Sequence, residues 1–111
     1  MAITVVNIIP RKQAENVQTS QYTAVNCKTV IDKFTATNNS GAPVTINVNL
    51  VASGGTASAS NLVTALKSIP VNGVYTFPEL VGQVLESGGF ISTVASAATA
   101  LTISAAGREI T

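Results

Sequence analysis

The clearest pattern in the chain is an alternation of aliphatic and polar residues over residues 43–51. The aliphatic positions are Val44, Ile46, Val48 and Leu50, and between them lie Thr45, Asn47 and Asn49. Because successive side chains of a β-strand point to opposite faces, this spacing places the aliphatic residues on one face and the polar residues on the other. It predicts a half-buried strand of an antiparallel sheet.

Short β-prone runs of a similar kind occur along the rest of the chain, each bounded by Gly, Pro, Asn or Ser. They cover residues 17–25, 29–37, 62–69, 74–77, 90–95 and 100–105. Turn signals at intervals of about 8 to 12 residues are typical of sandwiches and jelly rolls. We therefore predict an all-β fold, a single antiparallel β-sandwich of jelly-roll type.

Three connections are predicted from turn residues. Residues 38–41 tolerate left-handed backbone angles, so the runs on either side are predicted to form a β-hairpin. Residues 53–60 are small and of low complexity, which predicts a flexible exposed loop. Residues 79–86 have aliphatic side chains at helical spacing, but Gly82 interrupts them, so a single turn or an irregular crossing is expected.

The first nine residues are strongly β-prone and are cut off by Pro10. Their apolar side chains are Ile3, Val5, Val6, Ile8 and Ile9. A strand of this kind would be prone to aggregate if it stayed unpaired. Two interpretations stay open: an arm that adds a strand to a neighbour's sheet edge, with these five residues at the protein interface, or the first strand of the chain's own sandwich. The first interpretation divides the chain into an N-terminal arm, residues 1–16, and a β-sandwich domain, residues 17–111.

Charge is scarce in this chain. Only 10% of its 111 residues are charged, against about 25% in a typical globular domain. Ser and Thr together fill 24 positions, and 46% of the residues are hydrophobic. Since soluble proteins normally use charge to keep apart from their neighbours, this composition indicates a surface that is largely covered by other protein.

Composition also argues against two classes of partner. No apolar run approaches the roughly 20 residues of a membrane-spanning helix, and the N-terminus lacks the pattern of a cleaved signal peptide, so no membrane partner is expected. The basic residues are scattered, which leaves no stripe to neutralise phosphates and predicts no nucleic-acid binding. They are Arg11, Lys12, Lys28, Lys33, Lys67 and Arg108.

The side chains offer little for catalysis. There is no histidine, the residue that most often serves as a general acid or base near neutral pH. The five acidic residues do not cluster in sequence, and Glu15 and Glu79 are interpreted as solvated loop charges. Cys27 has no partner for a disulfide, a metal or a nucleophilic pair, which predicts a small buried hydrophobe. We expect a protein that is not an enzyme and has no cofactor and no metal.

Asp32 has two interpretations. The alternation of Val30, Asp32 and Phe34 would place its carboxylate on an apolar face, where a charge needs a partner. It either reaches solvent or a turn donor at a twisted edge, or forms an intersubunit salt bridge.

Polar stripes such as Thr45, Asn47 and Asn49 suit a large protein contact, because hydroxyls and amides hydrogen-bond without the desolvation cost of a charge. They would also suit sugar binding, but sugar sites usually stack rings on exposed aromatic residues. The chain has five aromatic residues and no Trp, and we expect those five to lie in the core.

Three segments resemble small β-sandwich proteins of tailed-phage particles. They are NNSGAPVTINVNL at residues 38–50, LESGGFIS at residues 85–92 and LTISAAGREIT at residues 101–111. The likeness covers about residues 22–111. Within that group the chain length and the short apolar N-terminal segment are most similar to capsid decoration proteins, also called staple or cement proteins, of short-tailed phages.

The resemblance implies a jelly-roll-like sandwich on the outer surface of an icosahedral capsid, made in the host cytoplasm and carried on the virion. It implies the major capsid protein as partner, with neighbouring copies clamped together, and a homodimer on the capsid. It transfers no catalytic residue. The alternatives are another virion component, such as a tail or fibre sandwich, and a carbohydrate-binding module.

Overall fold

The computed structural model describes residues 2–111 and consists mostly of β-strands. The strands are β1 (Ile3–Gln13), β2 (Thr19–Thr23), β3 (Lys28–Asn38), β4 (Val44–Val51), β5 (Leu62–Ile69), β6 (Val74–Tyr75), β7 (Val84–Leu85), β8 (Phe90–Ala95) and β9 (Leu101–Ile110). The helical content of the described residues is one short 3-10 turn, Ala59–Asn61. Within residues 2–111 no helix is long and apolar enough to cross a membrane.

The strands form two antiparallel sheets packed face to face. Sheet 1 has the order β1-β9-β3-β6, with β7 also paired to β3, and sheet 2 has the order β2-β8-β4-β5. This arrangement confirms the predicted all-β antiparallel sandwich. Every predicted run overlaps a strand, because period-two alternation depends only on local geometry.

The core lies between the two sheets and is almost entirely aliphatic. Phe34 and Phe77 are its largest fully buried side chains, with ring centroids 4.7 Å apart in an edge-to-face arrangement. From β4, Val44, Ile46 and Val48 point into the core as predicted, while Leu50 is only half-buried against it. Each fully buried side chain of this size contributes roughly 1.5–3 kcal/mol relative to an exposed one.

The predicted hairpin between residues 29–37 and 43–51 is wrong. β3 belongs to sheet 1 and β4 to sheet 2, so the turn between them carries the chain from one sheet to the other. The buried side chain of Asn38 holds this corner: its Nδ2 donates to the carbonyl oxygens of Ala42 and Ile69, each at 2.9 Å, and its Oδ1 accepts from Ser40. The same turn residues suit a hairpin and a sandwich corner, so local sequence could not separate the two.

A β-bulge at Asp32 changes the phase of β3. Ile31 lies opposite Gly107 and Lys33 opposite Ala106, which leaves Asp32 as an extra residue. The buried positions are therefore Thr29 and Ile31 before the bulge and Phe34 and Ala36 after it. The predicted alternation of Val30, Asp32 and Phe34 is wrong for this reason, and Asp32 is exposed on the outer face of sheet 1.

The N-terminal segment is an edge strand of sheet 1 in this structure. β1 pairs with β9 from Ile3 opposite Ile110 to Gln13 opposite Thr102. This pairing corresponds to the second interpretation of residues 3–9, in which they form the first strand of the chain's own sandwich. It joins residues 2–16 to the sandwich instead of setting them apart as an arm. Met1 lies outside the described residues. Two register shifts, one on each side of Ile9, and Pro10 interrupt the strand, and such features discourage edge-to-edge pairing.

Two tyrosine–glutamate contacts help to tie the two sheets together. Tyr22 of β2 donates to Glu109 of β9 at 2.5 Å. Tyr75 of β6 donates to Glu79 at 2.6 Å, and Thr64 of β5 donates to the other oxygen of the same carboxylate. Glu79 therefore bridges the two sheets, which corrects its interpretation as a solvated loop charge.

These contacts shift the ionisation of both partners. Burial alone would raise the pKa of the Glu79 carboxyl, but hydrogen bonds from Thr64 and Tyr75 outweigh it and hold that pKa below its usual value. The hydrogen bond to Glu79, together with burial, raises the pKa of Tyr75 to about 12. Burial and the contact with Glu109 likewise raise the pKa of Tyr22 well above its usual value.

The remaining connections follow the sequence pattern more closely. Residues 78–82 form successive turns without a helix, in line with the irregular crossing predicted for residues 79–86, and Gly82 has a φ of 86°. The strand β7 within that range was not predicted. This segment also extends sheet 1, because Ile31 donates its N–H to the carbonyl of Gln83 at 2.9 Å. Residues 52–60 form a mostly exposed connection between β4 and β5, as predicted. Cys27 is buried, also as predicted.

Gly107→Ala should destabilise the fold. A Cβ at this position would collide with the carbonyl oxygen of Val30 in the neighbouring strand, and forced backbone shifts of this kind typically cost about 1–3 kcal/mol. Gly41→Ala is the matched control, since a Cβ there meets nothing within 4 Å; its effect should stay within about 0.5 kcal/mol. Urea denaturation compares the two, and equal midpoints would contradict the proposed packing.

Acid should remove the stabilisation that Glu79 provides. Since the folded-state pKa of Glu79 lies below the ordinary value of 4.5, this contribution is complete above about pH 4.5 and is lost as the pH falls through the folded-state pKa. Glu79→Gln should reduce stability at pH 7 by about 1–2 kcal/mol, and the stability of this variant should fall less steeply as the pH is lowered. Thermal melts from pH 3 to 7 measure this, with the exposed Glu86→Gln as the control of equal charge change. If the stability of Glu79→Gln fell as steeply in acid as that of the parent, Glu79 would not be the group responsible.

Candidate functional site

An apolar patch covers one end of the outer face of sheet 1. It consists of Ile3 and Val5 from β1, Val30 from β3, Val84 from β7 and Ile110 from β9. Ile3 is 57% exposed, Val5 79% and Val84 48%. Isolated exposed aliphatic residues are common on proteins, whereas a group of them on one face of a sheet makes that face a candidate contact surface.

Strand register brings these residues together. Residues directly opposite in an antiparallel pair point to the same face. Ile3 lies opposite Ile110, and Val5 lies opposite Arg108. Arg108 lies opposite Val30, and Val30 lies opposite Val84. The result is a row across four strands, formed by Val5, Arg108, Val30 and Val84, with Ile3 and Ile110 beside it. The charged neighbours are Arg108 within the row and Lys28 opposite Ile110.

The arginine in this row is neutralised by Asp32. Arg108 holds both carboxylate oxygens of Asp32, with contacts of 2.9 Å from Nη2 and 3.1 Å from Nε. The hydrogen bonds and charge of Asp32 raise the pKa of Arg108. Asp32 therefore has a partner within its own chain, whereas one of the sequence interpretations placed that partner in another subunit. The β3 bulge turns Asp32 outward and makes the pair possible.

A polar groove lies on the same sheet. Its volume is about 250 Å³, and Asn7, Pro10 and Arg11 of β1 line one side of it, with Lys33 and Thr35 of β3 on the other. The groove exists because β1 carries an extra residue on each side of Ile9, and such bulges bend a strand away from regular pairing. On its floor, the hydroxyls of Thr35 and Ser104 are 3.0 Å apart.

The five predicted interface residues divide into three groups. Ile3 and Val5 lie in the apolar patch, and Val6 is half-buried against the core. Ile8 and Ile9 are 4% and 1% exposed and belong to the core. That any of them contacts another protein stays a prediction, but only Ile3 and Val5 have a freely accessible side chain.

Sequence reasoning missed the other members of the patch. Val30, Val84 and Ile110 come from three strands that are far apart in the chain, and only their register shows that they adjoin Ile3 and Val5. The sequence signal for such a residue is an apolar side chain at a position that alternation assigns to the polar face of a strand. In β3 the bulge at Asp32 shifts this alternation, so the sequence did not show on which face Val30 lies.

The polar stripe of β4 is largely engaged inside the chain. Asn47 accepts the backbone N–H of Leu66 at 2.6 Å. Asn49 is buried and donates to the carbonyl of Ser58 and to Oδ1 of Asn61. These amides fix the irregular strand β5 and the loop before it, so they contribute little to any contact surface.

No metal-binding cluster was found in the described part of the chain: residues 2–111 contain no group of three or more His, Cys, Asp or Glu side chains able to hold an ion. The thiol of Cys27 lies 3.6 Å from the hydroxyl of Thr29.

The aromatic rings are partly as predicted: Phe34 and Phe77 are fully buried, while Tyr22, Tyr75 and Phe90 are half-buried.

The chain matches no protein-family model, and neither the curated proteins nor the solved structures contain a significant match to it. The interpretation of the apolar patch and the polar groove therefore depends on their own geometry.

Substitutions in β1 should separate its core residues from its surface residues. Ile8→Ala and Ile9→Ala each remove a buried side chain and should cost about 2–4 kcal/mol. Ile3→Ser and Val5→Ser, at exposed positions of the same strand, should change stability by about 0.5 kcal/mol at most. Chemical denaturation of the four variants measures this. If Ile8→Ala and Ile9→Ala were as stable as the parent, β1 would be a free arm in solution.

Proposed function

We propose that this chain is a non-enzymatic structural protein that decorates the outside of a phage capsid and clamps neighbouring major capsid proteins together. The single observation on which the proposal rests is the apolar patch on sheet 1, an exposed face of Ile and Val in a chain with very little charge. Such a face gains free energy when another protein covers it, by roughly 25 cal/mol for each Å² of apolar surface removed from water.

The shape of the molecule suits a clamp. Its principal extents are 46 × 26 × 20 Å, so one copy is long enough to lie across a seam between two subunits. A stable protein contact buries at least about 1,000 Å² in total. The outer face of sheet 1, whose strands β1, β3 and β9 have 10 or 11 residues each, offers a surface on this scale.

The strand order also favours a virion role. We interpret the orders β1-β9-β3-β6 and β2-β8-β4-β5 as those of a jelly roll, in which the chain passes back and forth between two sheets. Jelly rolls are common in viral capsid domains. They also occur in lectins, so this argument alone does not separate a capsid role from sugar binding.

The aromatic residues weigh against a carbohydrate-binding module. Sugar rings stack on exposed aromatic faces, but all five rings here are buried or half-buried. The hydroxyls of Tyr22 and Tyr75 are also occupied by Glu109 and Glu79. A tail or fibre component remains the main alternative, and the position of the protein in the particle distinguishes it from a capsid protein.

The mode of attachment differs from the donated arm considered from sequence. Residues 3–9 are paired with β9, so the proposed contact uses the outer face of sheet 1 and not a strand lent to a neighbour. The proposal keeps a homodimer on the capsid, the outer capsid surface of the virion as the location, and the host cytoplasm as the place of synthesis.

A charge placed in the apolar patch should weaken capsid binding. Val84→Asp would bury an unpaired carboxylate in the contact, so we expect at least a tenfold loss of affinity for expanded capsids of the phage that encodes the chain. Val17→Asp is the matched control, because Val17 is 64% exposed but lies in the connection before β2. Co-sedimentation with purified capsids measures both, and circular dichroism verifies that both variants are folded.

The proposal fails if the parent chain neither binds expanded capsids nor raises their resistance to heat. If Val84→Asp and Val17→Asp bound capsids equally well, the apolar patch would not be part of the contact. Localisation of the chain to the tail in a map of the intact particle would favour the alternative.

A further inference from the structure

Most charged residues of this chain have a partner within it, and two of the three cations that lack a carboxylate partner among residues 2–111 share one site. All five carboxylates have partners within the chain. Glu15 contacts Lys12 and Gln21, Asp32 contacts Arg108, Glu79 contacts Thr64 and Tyr75, Glu86 contacts Lys28, and Glu109 contacts Tyr22. The Glu86 contact, at 3.6 Å, is the loosest of these.

Three of the six basic residues have no carboxylate partner among residues 2–111. Lys67 is one of them, and its ammonium lies 4.6 Å from the centre of the Tyr75 ring. The other two, Arg11 and Lys33, are exposed and line opposite sides of the polar groove. Two of the three cations without a carboxylate partner therefore face one concave site.

We propose that the polar groove receives the carboxylate side chains of an acidic segment of the protein that covers the apolar patch. Under the proposed function this protein is the major capsid protein, and that identity rests on the proposed function. Arg11 and Lys33 would pair with the carboxylates, and the amide of Asn7 and the hydroxyls of Thr35 and Ser104 would bond the backbone of the segment.

The charges of the chain itself argue against a second copy as the occupant. A second copy would offer only carboxylates that already have a partner within the chain, so supplying one would compete with an existing contact. A small anion fits less well, because such ions are usually held by converging backbone N–H groups, and those of β9, which lies between β1 and β3 at the groove, point towards its two neighbours in the ladder. A nucleic acid also fits less well, because two cations can neutralise only a few phosphates.

The position of the groove links it to the patch. Both lie on the outer face of sheet 1, and the neutralised Arg108–Asp32 pair lies within the patch, with Arg108 between Val5 and Val30. A partner that lies flat on this face would cover apolar residues at one end and meet Arg11 and Lys33 at the other. The patch would supply most of the affinity, and the groove would fix the orientation of the partner.

The test is an NMR titration of the full chain with a blocked hexaglutamate peptide, with hexaglutamine as the uncharged control. Hexaglutamate should shift the amide signals around Arg11, Lys33 and Ser104, and hexaglutamine should not. Arg11→Gln and Lys33→Gln should each weaken binding about two- to fivefold, as expected for loss of an exposed ion pair. Lys67→Gln, the control with the same charge change, should leave the affinity unchanged.

Three results would overturn the inference. Equal losses in Lys67→Gln and Lys33→Gln would indicate a general charge effect and no site. Inorganic phosphate that causes the same shifts at the same concentration would indicate a small-anion site. A short DNA duplex that binds the groove more tightly than hexaglutamate would indicate nucleic acid as the occupant.

Capsid co-sedimentation separates this inference from the proposed function. If the parent chain binds expanded capsids and the Arg11→Gln/Lys33→Gln double variant binds equally well, the groove inference fails and the capsid role stands. If the parent does not bind capsids but binds hexaglutamate in the groove, the capsid role fails and the groove inference stands. Loss of capsid binding in the double variant, but not in Lys67→Gln, supports both.

Discussion

β3 and β9 lie side by side in the middle of sheet 1, paired from Lys28 opposite Ile110 to Asn38 opposite Leu101. A single extra residue, Asp32, divides this ladder into two phases. Gly107 allows the close approach at the bulge, because any larger residue would meet the Val30 carbonyl. The core, the outer face and the Arg108–Asp32 pair all follow from this pairing, since a slip of one residue exchanges the buried and exposed sides of a strand.

The scarcity of charge has a structural explanation as well as a compositional one. Most of the few charged side chains are used inside the chain: Glu79 and Glu109 receive tyrosine hydroxyls from across the sandwich, and Asp32 neutralises Arg108. What remains on the outer face of sheet 1 is an apolar patch and the unpaired cations Arg11 and Lys33. A surface with so little repulsion favours permanent contact with another protein.

Edge strands of a sandwich invite unwanted pairing, and this fold limits it by irregularity. β1 carries two register shifts and Pro10, and β5 carries two register shifts and a Leu66 with positive φ. These irregularities leave the faces of the sandwich more suitable for contact than its edges. The irregularities of β1 also create the polar groove, so the same bulges protect an edge of the sheet and shape its surface. A face contact is consistent with a clamp that lies flat on its support.

The sequence by itself determined the secondary structure and the fold class, because period-two alternation and turn residues act over a few positions. It also predicted a buried Cys27 and an irregular crossing without a helix over residues 79–86, although it missed the short strand β7 in that range. Tertiary structure alone decided the partner of each strand: it made residues 38–41 a corner between sheets, placed Ile8 and Ile9 in the core, and joined Ile3 and Val5 to Val30, Val84 and Ile110 in one patch. These features depend on pairings between residues distant in the chain and on bulges that reverse the phase of a strand, and neither leaves a signal in a local pattern.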